Sequence, residues 1–257
     1  MNRLPVTLRA RVLARCLLIQ AAWNPRTMLG HGVAYILAPV MRFARGREGE
    51  DLELARHIEH FNAHPYLSSV ALGAVARMEV DAADPERIRR FKTAVRGPLG
   101  AIGDRLIWVG WLPSLSLGAL TLLALGVSGP VVVLIFLAVY NVGHGFLRVW
   151  GWNAGYSNGE DVARAIRDAG LQEKAQTLTQ VGALMIGCLA GTVLSSTWTL
   201  FRGTQGQGVV AGLTLVGAGL FLLGIRARRR GWRPSLSLTA LLIGLIAVSG
   251  ALFGGPS

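Results

Sequence analysis

Gly97-Pro98-Leu99-Gly100-Ala101-Ile102-Gly103-Asp104-Arg105-Leu106-Ile107-Trp108 marks the point at which this chain changes character. Before it charged residues are frequent. Across residues 106–147 there is no Asp, Glu, Lys or Arg for 42 residues. A polar segment punctuated by Gly and Pro, opened upstream by Phe61-Asn62-Ala63-His64-Pro65, therefore delivers the chain straight into lipid-compatible sequence. Ionisable groups at a membrane boundary are costly and usually have a task, so function is expected at this junction.

The composition agrees. Of 257 residues, 52% are hydrophobic and 16% charged, against about 25% charged in soluble proteins. The predicted class is an all-α, polytopic integral membrane protein with an amphipathic-helical, charge-rich N-terminal half. Residues 1–105 are expected to form a cytoplasm-facing helical region and residues 106–257 a transmembrane helical one. The net charge of +12 would also suit nucleic acid. The arginines, however, lie beside apolar runs, as membrane-flanking segments do, and a nucleic-acid groove needs no spans. Cys16 and Cys188 are too far apart for a metal spacing or a disulfide framework and read as small buried apolar residues.

Working outward, residues 6–23 carry Arg9, Arg11 and Arg15 ahead of a short apolar run. They read as an amphipathic helix on or against the bilayer, broken by Asn24-Pro25. Residues 28–41 are too short and Gly-rich for a span, and residues 42–51 read as a charged turn. Residues 52–61 read as helix, with His57 and His60 at i, i+3 and His64 four residues on. Three histidines on one face suggest a metal site. Pro65 interrupts that face and no H-E-x-x-H occurs, so a solvated or network-forming face is the reading adopted. Residues 67–80 form a small-residue apolar helix. Asp84-Pro85-Glu86 starts the next, with Asp84 as N-cap, and Gly97-Pro98 should end it. Gly97, Gly100 and Gly103 lack the strand and the Lys-Ser/Thr of a phosphate loop. They read as a close-packed bend admitting a ligand or a neighbouring helix.

Four apolar blocks follow. Residues 106–147, with a break at Gly129-Pro130, have room for two helices or for one span plus a re-entrant piece. Residues 175–201, 203–225 and 234–253 each contain one span. Residues 148–174 read as a mixed-charge loop. The arginines at 226–233 should be cytoplasmic, as should the Arg-rich N-terminal half.

The polar groups at the boundary are Asn62, His64, Glu79, Lys92 and Asp104, followed by Asn141, His144 and Arg148. Sugar hydroxyls donate and accept, carboxylates and amides match them, and an aromatic face covers the apolar side of a sugar ring. Asp104 beside Trp108 and Trp111 is the best local combination. Structural roles compete with that reading. Asp104 suits a helix N-cap, and Glu79 and Lys92 suit a solvated surface pair. Asn141, His144 and Arg148 share a helical face and suit an interfacial snorkelling cluster. No nucleophile–base pairing and no cofactor fingerprint occurs.

The same residues carry a resemblance. Asn62, His64 and Pro65 resemble the F-N-T-x-P signature of subunit IID of the mannose/fructose/sorbose family of sugar phosphotransferase (PTS) transporters. Gly97-Pro98, Gly103-Asp104 and Trp108 resemble its M-G-P-L-A-G-x-G-D-x-x-x-W signature, with Glu79 and Lys92 between. Trp23-Asn24 with Met28 looks like its W-N-x-x-x-M, Gly155-Tyr156-Ser157-Asn158-Gly159 like its G-Y-S-K-G, and Pro234 with the last apolar block like its final span. The resemblance implies a non-phosphorylated, non-catalytic, multi-pass subunit of the bacterial inner membrane, its N-terminal half on the cytoplasmic side. With membrane subunit IIC it would form the sugar pathway, in a hetero-oligomer embedded in the lipid bilayer. Cytoplasmic IIA and IIB phosphocarriers would relay phosphate from phosphoenolpyruvate to a mannose-class hexose.

The resemblance further implies sugar-binding roles for Asn62, Glu79, Lys92, Asp104 and Trp108. Gate or packing roles would fall to His64, Pro65, Gly97, Pro98, Gly100, Gly103 and Tyr156. No catalytic residue, phosphorylated histidine, metal or cofactor is implied, and no nucleic-acid partner. The chain departs from the pattern at Ala63 (usually Thr), Arg96 (usually Met) and Arg105 (a small residue or Pro), which bears on the choice of sugar. The rival from another class is a stand-alone membrane scaffold or regulator that keeps the fold without transport.

Overall fold

The computed structural model describes residues 4–201. These form helices α1 (Val6–Cys16), α2 (Gly30–Leu54), α3 (Ser68–Val80) and α4 (Pro85–Gly103). A π-helical segment, Asp104–Trp111, leads into α5 (Leu112–Ala124), followed by α6 (Gly129–Asn158), α7 (Val162–Asp168) and α8 (Leu171–Phe201). Short 3-10 turns lie at Ala55–His57 and Gly159–Asp161. There is no sheet among the described residues. The chain divides into a unit Met1–Thr192 and a unit Val193–Ser257, of which the described residues 193–201 are helical.

The centre of the first unit is α3. Ser68 through Ala76, with Met78 and Glu79, are buried. A helix of small residues buried on all sides belongs in the middle of a bundle. α3 packs against α2 and α4, and most extensively against α6. That crossing is close because glycine stands where the backbones meet. A Cβ at Gly73 would run into the Trp152 carbonyl, one at Gly151 into Ser69, and one at Gly155 into the Val70 carbonyl. Small residues set this way let backbones approach within van der Waals contact. Overpacking typically costs about 1–3 kcal/mol where side chains can adjust, and here the obstacle is backbone. Gly155→Val is therefore expected to remove most folded protein, read as the monodisperse fraction after detergent extraction. Gly145→Val, at a glycine with nothing within 4 Å of a new Cβ, should extract like the parent.

Several sequence expectations change. Gly97-Pro98 does not end a helix: α4, the π segment and α5 run on continuously from Pro85 to Ala124. Leu99, Gly103, Leu106, Ile107 and Gly110 carry one buried face through this stretch, which outweighs the hydrogen bond that Pro98 cannot donate. The glycines at 97, 100 and 103 are accordingly on a helix and not at a bend. Residues 42–51 are not a turn but continue α2, broken only at Gly46 (φ 76°, ψ −178°). Val33, Ile36, Leu37, Val40 and Met41 bury the helical stripe that leads into them. α1 stops at Cys16, short of residue 23, and the helix expected over 52–61 ends at His57.

Residues 148–174 are helical rather than a loop, because Trp152 and Gly155 are needed against α3. The chain leaves α6 at Gly159, whose φ of 55° favours glycine. Residues 106–147 resolve into two helices separated at 125–128, where Gly126 takes a φ of 88°. Cys16 is buried as expected, but Cys188 is exposed on α8. Two helical stretches, Pro85–Ala124 and Gly129–Val193, are long and apolar enough to cross a membrane. The apolar blocks 203–225 and 234–253 and the arginines at 226–233 lie outside the described residues.

Candidate functional site

Two stretches far apart in sequence meet first through backbone. Asn24 Oδ1 accepts from the amides of Arg26 (3.1 Å) and Thr27 (3.0 Å), folding a tight turn after Trp23. Such Asx turns are a standard use of asparagine. The turn presents Thr27 and Leu29 to Phe61: the Phe61 amide donates to the Thr27 carbonyl (3.1 Å), and the Leu29 amide to the Phe61 carbonyl (3.0 Å). Trp23-Asn24…Met28 and Phe61-Asn62-Ala63-His64-Pro65 are therefore one structural unit.

That unit packs on the C-terminal half of α4. A Cβ at Gly100 would contact the Asn62 carbonyl at 3.7 Å, whereas one at Gly103 would collide with the His64 side chain. Gly97 faces open space. Immediately after Gly103 the helix widens into its π segment. Such segments recur at functional sites because they re-aim side chains. Asn62, Asp104 and Trp108 are all exposed, and the His64 and Trp108 rings lie 5.5 Å apart. Asn62 and Asp104 make no side-chain hydrogen bond or ion pair among the described residues. Asp104 has helical φ/ψ (−59°, −43°) inside a continuous helix, so it is not the N-cap that its position suggested. The N-cap at Asp84 is present, its carboxylate accepting from the Arg87 amide at 3.1 Å.

The residues that lead into the turn are held by an ionic network around a buried carboxylate. Glu79, at the end of α3, has no exposed side-chain surface. It accepts from Arg45 (3.0 Å), Arg56 and His57 Nε2 (3.0 Å). Lys92 Nζ donates to the Arg56 carbonyl (2.7 Å) and to Glu59 (3.2 Å). Glu79 and Lys92 are thus neither solvated nor paired with each other. They fix residues 56–59, which lead into the turn. Arg96 donates to His60 Nδ1 (3.1 Å) and to the His60 carbonyl (2.6 Å). His57, His60 and His64 consequently point to three different partners and share no helical face.

Burial tends to raise the Glu79 carboxyl, but the hydrogen bonds from His57 and Arg56 and their charges outweigh it and hold it down at about 2. Burial pushes His57 below its ordinary value, against the opposing hydrogen bond to Glu79. Burial, reinforced by the Arg148 charge, pushes His64 down to about 4. His64 Nδ1 accepts from the Tyr66 amide at 3.2 Å, so its proton sits on Nε2. All three depressed values act in one direction. Below pH 6.5 the unfolded chain takes up imidazole protons that the folded chain refuses, and below 4.5 it also protonates Glu79. Thermal stability should be flat above pH 7, decline from 6.5 towards 4, and fall more steeply below 4.5. A melting series in detergent from pH 8 to 4 checks this. Stability that rises on acidification contradicts it.

A further cluster, which the sequence placed on one face without showing its direction, comes from α6. Tyr66 and Tyr140 share a hydrogen bond of 2.6 Å between hydroxyls. His144 stacks on Tyr66 at 5.0 Å, and its Nε2 lies 3.0 Å from Asn141 Oδ1. Arg148 is buried and bonds backbone carbonyls, so it points into the protein and does not snorkel. Tyr66 carries this cluster and was missed in sequence; its place directly after His64-Pro65 was the available signal. Tyr156 stacks on Trp152 at 6.2 Å, and its backbone lies where a Cβ at Gly73 would reach.

The profile of the PTS system mannose/fructose/sorbose family IID component matches residues 6–251. The mannose-specific EIID component of Escherichia coli K12 is 27% identical over 186 residues, covering 69% of this chain and 65% of that protein. The fructose permease IID component of Bacillus subtilis 168 is 30% identical over 185 residues, covering 69% and 64%. The chain thus matches about 65% of the length of these curated relatives. Among solved structures, a chain of the mannose transporter ManYZ in complex with microcin E492 is 22% identical. It aligns with a TM-score of 0.56 over 99% of this chain and 98% of that one. A second, described as a membrane protein, is also 22% identical and aligns with a TM-score of 0.63 over 98% of each chain. These two likenesses show a shared fold.

Proposed function

The chain belongs to the mannose/fructose/sorbose family of PTS IID components, and we propose that it serves as the non-phosphorylated IID subunit of a sugar permease. It crosses the bacterial inner membrane several times, with its N-terminal half on the cytoplasmic side. With a IIC subunit it forms the pathway for a mannose-class hexose, and IIA and IIB partners supply the phosphoryl group. Binding and movement are this chain's share of the work, and the chemistry is done elsewhere.

The observation that carries the reading is the exposed array of Asn62, Asp104 and Trp108, set where the turn, α4 and the π segment meet. The Asn62 and Asp104 side chains bond no described residue, and the Trp108 ring supplies an apolar face. This combination suits a polyol, whose hydroxyls need acceptors and donors while its ring carbons need cover. Gly100 and Gly103 seat the turn on α4, and the Pro65 carbonyl ties it to Arg148. Glu79 and Lys92 hold residues 56–59, which lead into it. Pro98 is exposed on α4. His64 sits between support and array. Tyr156 belongs to the α3–α6 packing, and Gly97 faces outward.

Expression of this chain with a IIC subunit tests the assembly directly. Co-extraction of the two as one stable species is the expected result. A stable, sugar-blind chain that never associates would favour a scaffold or regulator instead.

A further inference from the structure

Arg148 is an expensive residue in its setting. It lies on α6, within a helical stretch long and apolar enough to cross a membrane, and is only 6% exposed. It makes no ion pair with a carboxylate among the described residues, and its Nε is buried without an acceptor. Removing a cation from water costs several kcal/mol, which a well-packed apolar side chain would avoid. Its presence is better explained by what it joins.

Nη1 donates to two carbonyls at once, that of Cys16 at 2.6 Å and that of Pro65 at 3.2 Å. Cys16 is the last residue of α1, where the carbonyl end of the helix dipole favours a cation. Pro65 closes the turn that carries Asn62 and His64. The guanidinium also stands 4.8 Å over the Tyr66 ring. On the same helix Tyr140 bonds the Tyr66 hydroxyl and His144 stacks on its ring. Positions 140, 144 and 148 form one stripe at i, i+4, i+8, and the whole stripe engages residues 65–66. The other end of the turn is fixed at Phe61 by its two backbone bonds to Thr27 and Leu29.

We propose that Arg148 is a positioning residue: it clamps the turn bearing Asn62 and His64 to α6 and to the end of α1, so that turn and helix move as one body. This inference rests on the sugar-pathway reading for its functional consequence but not for its geometry.

The test has two arms on the full chain. In membranes with IIC, IIA and IIB, Arg148→Met should raise the apparent KM for sugar about tenfold per assembled complex while kcat stays within about twofold. Arg148→Lys, which keeps the charge and one donor direction, should recover part of that loss. In the second arm, Ala63→Cys, at a buried position of the turn, is placed in a Cys16→Ala, Cys188→Ser background. Maleimide labelling of position 63 should accelerate several-fold on adding Arg148→Met and less on adding Arg148→Lys. Labelling of an Ala175→Cys control, buried on α8, should not change.

Unchanged KM and unchanged labelling at position 63 would overturn the clamp. So would equal loosening at positions 63 and 175, which marks a general loss of packing. If Arg148→Met fails to fold, the Lys variant carries both arms. If the parent chain proves sugar-blind, the permease reading fails while the labelling arm still decides the clamp.

Discussion

Glu79→Ala is expected to leave almost no folded chain in membranes. Glu79 is fully buried and is the shared acceptor for Arg45, Arg56 and His57. Truncating it takes away the buried carboxylate on which Arg45, Arg56 and His57 converge. Breaking a buried pair by removing one partner costs about 3–5 kcal/mol, a large part of a total stability that is itself only about 5–15 kcal/mol. Glu79→Gln keeps the shape and one acceptor but cannot neutralise the arginines, so it should be milder though clearly destabilised. Lys92→Met should cost less than either, because Lys92 holds a carbonyl and the half-exposed Glu59. Extraction yield and melting temperature, ranked parent, Lys92→Met, Glu79→Gln, Glu79→Ala, check the order. A normally folded Glu79→Ala would show that the network does not hold the segment leading to the turn.

Asp104→Asn should behave in the opposite way, with normal folding and lost transport. Asp104 is exposed, and its side chain neither caps a helix N-terminus nor bonds any described residue. Surface substitutions away from such features usually change stability by less than about 0.5 kcal/mol. A charged hydrogen bond to a ligand is worth about 1.5–3 kcal/mol, so uptake should fall at least about tenfold. Membrane insertion and complex assembly should be unchanged. Uptake at the parent rate would reduce Asp104 to a spectator and remove the strongest member of the proposed array.

The contrast between these two carboxylates shows what the sequence could and could not convey. Both were candidate sugar contacts, because both stand in the same run of motifs. Their environments are set by segments far away in sequence. Arg45 and Arg56 lie 34 and 23 residues before Glu79, and no local pattern announces that they converge on it. Local signals were read correctly where the physics is local: Asp84 as N-cap and the small-residue helix that became α3; the break read at Gly129-Pro130 falls just ahead of it, at 125–128. They misled at Pro98, where a continuous buried face overrides a breaker, and at residues 42–51, which extend a helix whose buried stripe ends at Met41. Arg148 is the sharpest case. Its spacing to Asn141 and His144 was visible, but spacing cannot say whether a face looks outward or inward. Its burial depends on a backbone carbonyl from α1, 132 residues earlier. The pairing of Thr27 and Leu29 with Phe61 likewise joins two motifs that looked independent.

The central claim is that this chain makes a sugar pathway for a phosphotransferase permease. The most direct measurement is phosphoryl transfer from previously phosphorylated IIB to a panel of hexoses, in membranes containing IIC, with and without this chain. The account predicts phosphorylation of at least one mannose-class hexose that requires the chain and is lost with Asp104→Asn. A stably assembled complex in which no hexose responds, or in which omitting the chain makes no difference, would contradict it.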